Sequence, residues 1–125
     1  MSRSRPSVPR ASSGRARLLT DEAIGLMGRR FSALADPTRL RLVTQLFEAE
    51  KSAGDLAGGS GSFQPNISRH LQVLAEAGIL ARRKRGLQVY YSIADPALGR
   101  LCDLMCDSLE RQLAQQAKAF TQNGN

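Results

Sequence analysis

Two cysteines, Cys102 and Cys106, stand four residues apart. On a helix that spacing puts both thiols on one face, about 5–6 Å apart at Cβ, and a pair of soft thiolates is a ligand set for a soft metal ion. A disulfide within one helix is strained at this spacing, because the Cβ atoms must close to about 3.5–4.5 Å; a bridge to a second copy avoids that strain. Cysteine also packs as a small core hydrophobe. The spacing alone leaves all of these roles open. A second group of residues is suited to different chemistry: Gln64, Asn66, Ser68 and Arg69, followed by the run Arg82-Arg83-Lys84-Arg85-Gly86. Glutamine and asparagine pair with adenine, arginine with guanine, and serine with bases or phosphate. The basic run is too charged for a buried turn and suits phosphates or a minor groove, where it would position without reading much sequence.

The elements that must position these groups follow from periodicity. Thr20 caps a helix with Asp21 and Glu22 in its first turn, and Ile24, Met27, Phe31 and Leu34 form its apolar face. Asp36-Pro37 caps and opens a second helix, with Leu40, Val43, Leu46 and Phe47 as its predicted buried face. A short helix is predicted over 52–57, with Ser52 and Asp55 at capping-box spacing, and is broken by the glycines and serines of 58–62. Pro65 opens a fourth helix through Ala77 that buries Ile67, Leu71 and Leu74 and stops at Gly78. Residues 80–84 and 87–93 then flank the turn signal Arg85-Gly86, with Leu87, Val89, Tyr91 and Ile93 alternating inward. Tyr91 is thus core, while Tyr90 faces out toward phosphate. Asp95-Pro96 starts a last helix to about Phe120, striped by Leu98, Leu101, Met105, Leu109, Leu113 and Ala117. The fold class is mainly α with a β-hairpin wing, in the order α-α-α-α-β-β-α: a winged helix-turn-helix. Its second motif helix enters a major groove with its polar N-terminal side chains at base edges.

Charge distribution supports a polyanion partner. The 125 residues carry a formal charge of +7. Residues 1–17 hold five arginines and no acid, and residues 69–91 hold five cations against Glu76 alone. The basic charge therefore sits in a tail and one compact segment, as nucleic-acid binding requires. Residues 1–17 read as a disordered basic tail, 18–120 as one DNA-binding and dimerisation domain, and 121–125 as a flexible C-terminus. No apolar run reaches the roughly 18–20 residues of a membrane span. No apolar segment follows the basic start as a secretory signal would, so the expected location is cytoplasmic. One histidine and no convergent acid–base or nucleophile arrangement leave nothing from which to build a catalytic site. A small RNA-binding or structural protein using charge alone is the competing class; it predicts no preference for a palindromic duplex.

The stretch Asn66-Ile67-Ser68-Arg69-His70-Leu71-Gln72-Val73-Leu74-Ala75-Glu76-Ala77-Gly78-Ile79 resembles the recognition-helix signature of the ArsR/SmtB metal-responsive repressors. Ala35-Asp36-Pro37-Thr38-Arg39-Leu40 resembles the start of that family's second helix, and Val89-Tyr90-Tyr91-Ser92-Ile93 its wing. The similarity spans roughly residues 20–115. It implies a homodimer paired through terminal helices that binds operator double-stranded DNA until an inducer releases it, with no cofactor required and no membrane involved. His70 falls inside the family's string and reads as a structural or DNA-backbone residue. The chain departs from the family at three places. No histidine stands on the last helix for the family's zinc site, no cysteine pair lies in 51–56 for its arsenic site, and Ser60 and Ser62 replace large apolar anchors. Zinc normally takes four nitrogen or sulfur ligands, whereas mercuric ion is satisfied by two thiolates. Arsenite prefers three, reached only if a cysteine crosses the dimer. Cys102 and Cys106 thus look more like the site of a mercury-responsive member, with Asp103 and Asp107 on the solvated face. A redox switch or inert cysteines are the alternatives. Metal on the dimerising helix would alter the spacing of the two recognition helices, provided it favours the non-binding state.

Overall fold

The computed structural model describes residues 20–60 and 64–123. The elements are α1 (Asp21–Leu34), α2 (Pro37–Leu46), β1 (Lys51–Ser52), α3 (Ala53–Ser60), α4 (Gln64–Glu76), β2 (Leu80–Arg85), β3 (Gln88–Ile93) and α5 (Ala97–Asn123). The mainly helical architecture and the hairpin wing are as the periodicity predicts; the 1–17 tail lies outside the described residues. No described helix is long and apolar enough to cross a membrane.

Helix boundaries are set by side chains that satisfy backbone groups the helix leaves free. Thr20 Oγ1 accepts from the Ala23 N–H at 3.2 Å, and Asp36 Oδ1 from the Arg39 N–H at 3.1 Å. Ser52 and Asp55 form a reciprocal box: Ser52 Oγ accepts from the Asp55 N–H at 3.1 Å, and Asp55 Oδ2 from the Ser52 N–H at 3.3 Å. Helix α4 ends in a Schellman motif. The Ile79 N–H reaches the Leu74 carbonyl at 3.0 Å and the Gly78 N–H the Ala75 carbonyl at 3.1 Å. Gly78 has φ +81°, which glycine adopts without steric cost.

Two boundaries differ from expectation. Helix α3 runs to Ser60, through Gly58 and Gly59, instead of stopping at Ala57. Each interior glycine costs about 0.8–1 kcal/mol; the capping box and the burial of Leu56 and Ala57 hold the helix against it. Helix α5 continues to Asn123, past the expected end near Phe120. The sheet also has a third strand that two residues could not announce. Its order is β1-β3-β2, all antiparallel, with Lys51 opposite Tyr91 and Ser52 opposite Tyr90.

The core is a single cluster of Ala33, Leu42, Val43, Leu46, Leu56, Ala57, Ile67, Leu71, Leu74, Ile79, Leu80, Tyr91 and Leu98. On α2 the buried residues are Leu42, Val43 and Leu46, while Leu40 and Phe47, expected inside, are 41% and 39% exposed. Leu87, expected to begin the inward alternation, is instead fully exposed at the turn. The predicted stripes of α1 and α5 are present, but one chain does not bury them. Ile24, Met27 and Phe31 on α1, and Leu101, Met105, Leu109 and Leu113 on α5, are exposed. From Asp103 to Thr121 every residue is exposed. Where α5 leaves the body, Met27, Phe31, Leu34, Leu98 and Leu101 line an apolar groove of about 270 Å³.

Candidate nucleic-acid interface

Helix α4 buries one face through Ile67, Leu71 and Leu74, so its remaining polar residues are divided by the helical turn. Arg69 lies opposite the buried face and is exposed. Gln64, Ser68 and Gln72, at spacings of four, form the flank toward the wing. With Arg82, Leu87, Gln88, Val89 and Tyr91 they line a cleft of about 620 Å³ between helix and hairpin. Asn66 and His70 occupy the other flank, Asn66 exposed and His70 half-buried. The helix-to-wing cleft therefore gathers Gln64, Ser68 and Arg82 from the expected set, and leaves Asn66, Arg69 and His70 on other faces.

His70 is held from α2. Arg39 Nη1 lies 3.2 Å from His70 Nδ1, and Arg39 Nε donates to the Ala33 carbonyl at 2.6 Å. Arginine only donates, so in this hydrogen bond Nδ1 is the acceptor. One guanidinium thus ties the end of α1 and the start of α2 to the middle of α4. Asp36 caps the same turn, and its carboxyl is held below the usual carboxylate range, chiefly by the hydrogen bond from the Arg39 N–H.

The wing's cations are individually placed. Arg82 lies over the Tyr91 ring at 6.0 Å and Arg85 over the Tyr90 ring at 5.5 Å. The Tyr90 hydroxyl donates to Gln88 Oε1 at 2.7 Å. Arg83 Nη2 pairs with Glu50 Oε1 at 2.6 Å, so part of its charge is met within the chain. Lys84 is exposed near the tip. The sequence singled out neither Gln72, Gln88 nor the partners Arg39 and Glu50. The Gln64-Ser68-Gln72 spacing held the signal for Gln72; Glu50 becomes a partner only through β1.

On α5, both thiols are free. Cys102 packs half-buried against the core beside Leu98, and Cys106 is exposed one turn further out. Burial, and then the neighbouring Cys106 and Asp103, push the Cys102 thiol up. Among the described residues no three histidine, cysteine, aspartate or glutamate side chains converge as a metal cage. The donor set of one chain fits a soft ion content with two sulfurs, and does not fit zinc.

Residues 36–82, from the cap of α2 into β2, match the sequence model described as bacterial regulatory protein, arsR family. The uncharacterized HTH-type transcriptional regulator Rv0081 of Mycobacterium tuberculosis is 36% identical over 87 residues, 69% of this chain and 76% of that protein. The chain belongs to the arsR family.

The crystal structure of Rv0081 superposes on this ArsR-family protein with a TM-score of 0.70 at 32% identity, covering 78% of this chain and 99% of that one. A homodimeric winged helix-turn-helix domain from Mycobacterium bovis gives 0.68 at 26% identity, over 85% of this chain and 94% of its own. The AntR antimony-specific transcriptional repressor gives 0.68 at 30% identity, over 93% of this chain and 99% of that one. A protein of Streptomyces lividans named "Probable mercury resistance operon repressor" is 38% identical over 75 residues, which is 60% of this chain and 58% of that protein. The family and these neighbours are transcriptional regulators and not enzymes.

Proposed function

We propose that this ArsR-family chain is a homodimeric repressor that binds operator DNA and is released by mercuric ion held on Cys102 and Cys106. The DNA half of the reading rests on one arrangement. Helix α4 and the basic hairpin meet at one cleft lined by Gln64, Ser68 and Arg82. Asn66 and Arg69 are exposed on the adjoining faces of the helix, and Arg83, Lys84 and Arg85 are exposed along the wing, Arg85 over the Tyr90 ring. Helix α4 enters a major groove, the wing tracks phosphates, and His70, tied to Arg39, sets the helix angle.

The dimer half rests on the exposed stripes of α1 and α5. A lone chain leaves Ile24, Met27, Phe31, Leu101, Met105, Leu109 and Leu113 in water, and apolar surface exposed in rows on helices is what an interface would cover. Pairing these helices sets the distance between the two reading helices. The choice of inducer site rests on position. Cys102 sits where α5 leaves the core and Cys106 where its free stripe begins. An ion bridging them would stiffen or twist that junction, and it acts as a switch only by favouring the non-binding state. The likeness to the mercury operon repressor supports this choice of ion, and the two-sulfur donor set supports it independently. The compartment of action is the cytoplasm, where the operator is.

The test is binding of the reduced protein to the DNA upstream of its own gene at fixed salt. It is titrated with mercuric ion, zinc, arsenite and antimonite beside a Cys102→Ser, Cys106→Ser variant. Release of the wild type by mercuric ion, with the variant spared, is the expected result. Equal behaviour of the two proteins toward every ion would refute the thiolate site. Release by arsenite or antimonite alone would replace it with a three-sulfur site completed by the partner copy.

A further inference from the structure

The tip of the wing breaks a local rule without any gain to the fold. Arg85 pairs with Gln88, so Gly86 and Leu87 form a two-residue turn. Gly86 has φ +62° and among the described residues no non-glycine residue has positive φ, so Leu87 does not, which fits a type II′ turn with glycine in its first central position. The second central position usually takes a small polar residue such as asparagine or serine. Here it holds leucine, with a relative exposure of 101%. The side chain gains no burial on folding, so neither turn chemistry nor packing accounts for it. Residues that violate local preference without a structural return are expected at functional positions.

Its surroundings suggest the function. Leu87 lies on the lip of the cleft shared with Gln64, Ser68, Gln72 and Arg82, on the side of the molecule that carries the reading helix. Lys84 and Arg85 precede it at the end of β2, and Arg85 is braced on the Tyr90 ring. An apolar tip beside a run of cations suits a β-ribbon that enters a minor groove. The cations meet phosphates along the groove, and the apolar side chain inserts between base pairs and partly unstacks them. Pyrimidine–purine steps, TA and CA/TG, yield most cheaply to such a wedge.

We propose that Leu87 is a minor-groove wedge that opens a base step beside each half-site and makes the wing select flexible pyrimidine–purine steps there. This rests on the DNA-binding reading above and adds to it a sequence preference and a kink that the basic residues alone do not provide.

The test compares wild type, Leu87→Ala and Leu87→Asn on a palindromic duplex selected by the wild type from a random pool. 2-Aminopurine is placed in turn at each step flanking the half-sites. Because Leu87 is fully exposed, and asparagine suits the turn, neither variant threatens folding; circular dichroism confirms it. The wild type should brighten 2-aminopurine at one flanking step per half-site, and replacing that TA step by GC should weaken it about tenfold. Both variants should lose the fluorescence rise and bind TA and GC versions alike, with an unchanged salt slope, since no phosphate contact is removed. Wild-type binding with no fluorescence rise, or variants that keep the step preference, would overturn the wedge and leave the DNA-binding reading intact. Failure of the wild type to select any duplex would overturn both.

Discussion

Replacing Arg39 with methionine keeps the apolar stem and removes the guanidinium. Two hydrogen bonds are lost: Nε to the Ala33 carbonyl at 2.6 Å, and Nη1 to His70 Nδ1 at 3.2 Å. A hydrogen bond to a charged group contributes about 1.5–3 kcal/mol net. The first is short and its acceptor belongs to a buried residue; the second is longer, and both lie in a half-buried setting. Taking the lower end for the first and less for the second gives a loss of about 2 kcal/mol. At about 4–8 °C per kcal/mol for a domain of this size, the melting temperature should fall by about 8–16 °C. Urea unfolding and calorimetry read both numbers. His70→Leu should lose only the second bond, whereas His70→Asn keeps an acceptor near Nδ1 and should recover part of it. The Arg39→Met, His70→Leu cycle should show a coupling of about 0.5–1 kcal/mol, as expected for residues in contact. An Arg39→Met protein within about 0.5 kcal/mol of wild type, or strictly additive losses, would refute the idea that this guanidinium holds α4 in place.

Other expectations concern the core, the stripe and the thiol. Leu71→Ala empties a fully buried site on α4 and should cost about 3–4 kcal/mol in urea unfolding. Met105→Glu with Leu109→Glu changes residues exposed in the single chain. By sedimentation it should yield monomers whose helix content is unchanged, and a variant that stays dimeric would move the interface elsewhere. Burial raises the Cys102 thiol above its ordinary 9.0. Its contribution to stability is therefore complete below pH 9 and is lost as pH climbs through its folded value. The wild type should accordingly lose stability relative to Cys102→Ser at alkaline pH and not at neutral pH, as paired urea midpoints at pH 7 and 10 would show.

Local chemistry was the most readable part of this chain. Thr20, Asp36-Pro37, the Ser52/Asp55 pair and Gly78 each act on groups a few residues away, and each ends or begins an element where its type demands. The reading helix and the basic hairpin followed from the same local signals. What periodicity misjudged depends on contacts distant in sequence. Strand β1 is two residues long and exists only because β3 offers it an edge. Leu40 and Phe47 have the right spacing for a buried face, but α2 is covered from a direction that selects Leu42 instead. The stripes of α1 and α5 were read correctly as apolar, yet no pattern within one chain says whether the cover is its own core or another molecule. Among the site residues, Gln72 was recoverable from spacing, whereas Arg39 and Glu50 depend on where their helix and strand come to rest.

Ser52 pairs with β3 of the wing and also caps α3. Hairpin and helix-turn-helix are therefore pinned to one another at Ser52 as well as through the core they share, like the two jaws of a fixed gauge. Such a head has no internal slack with which to absorb a misplaced target. One extra base pair between half-sites shifts the second target by about 3.4 Å and rotates it by about 34–36° around the duplex. In the proposed dimer on DNA, all of that error would fall on the slender joint where α5 departs beside Leu98 and Cys102. The length of the proposed operator's spacer, more than the letters within it, is then what this geometry would measure.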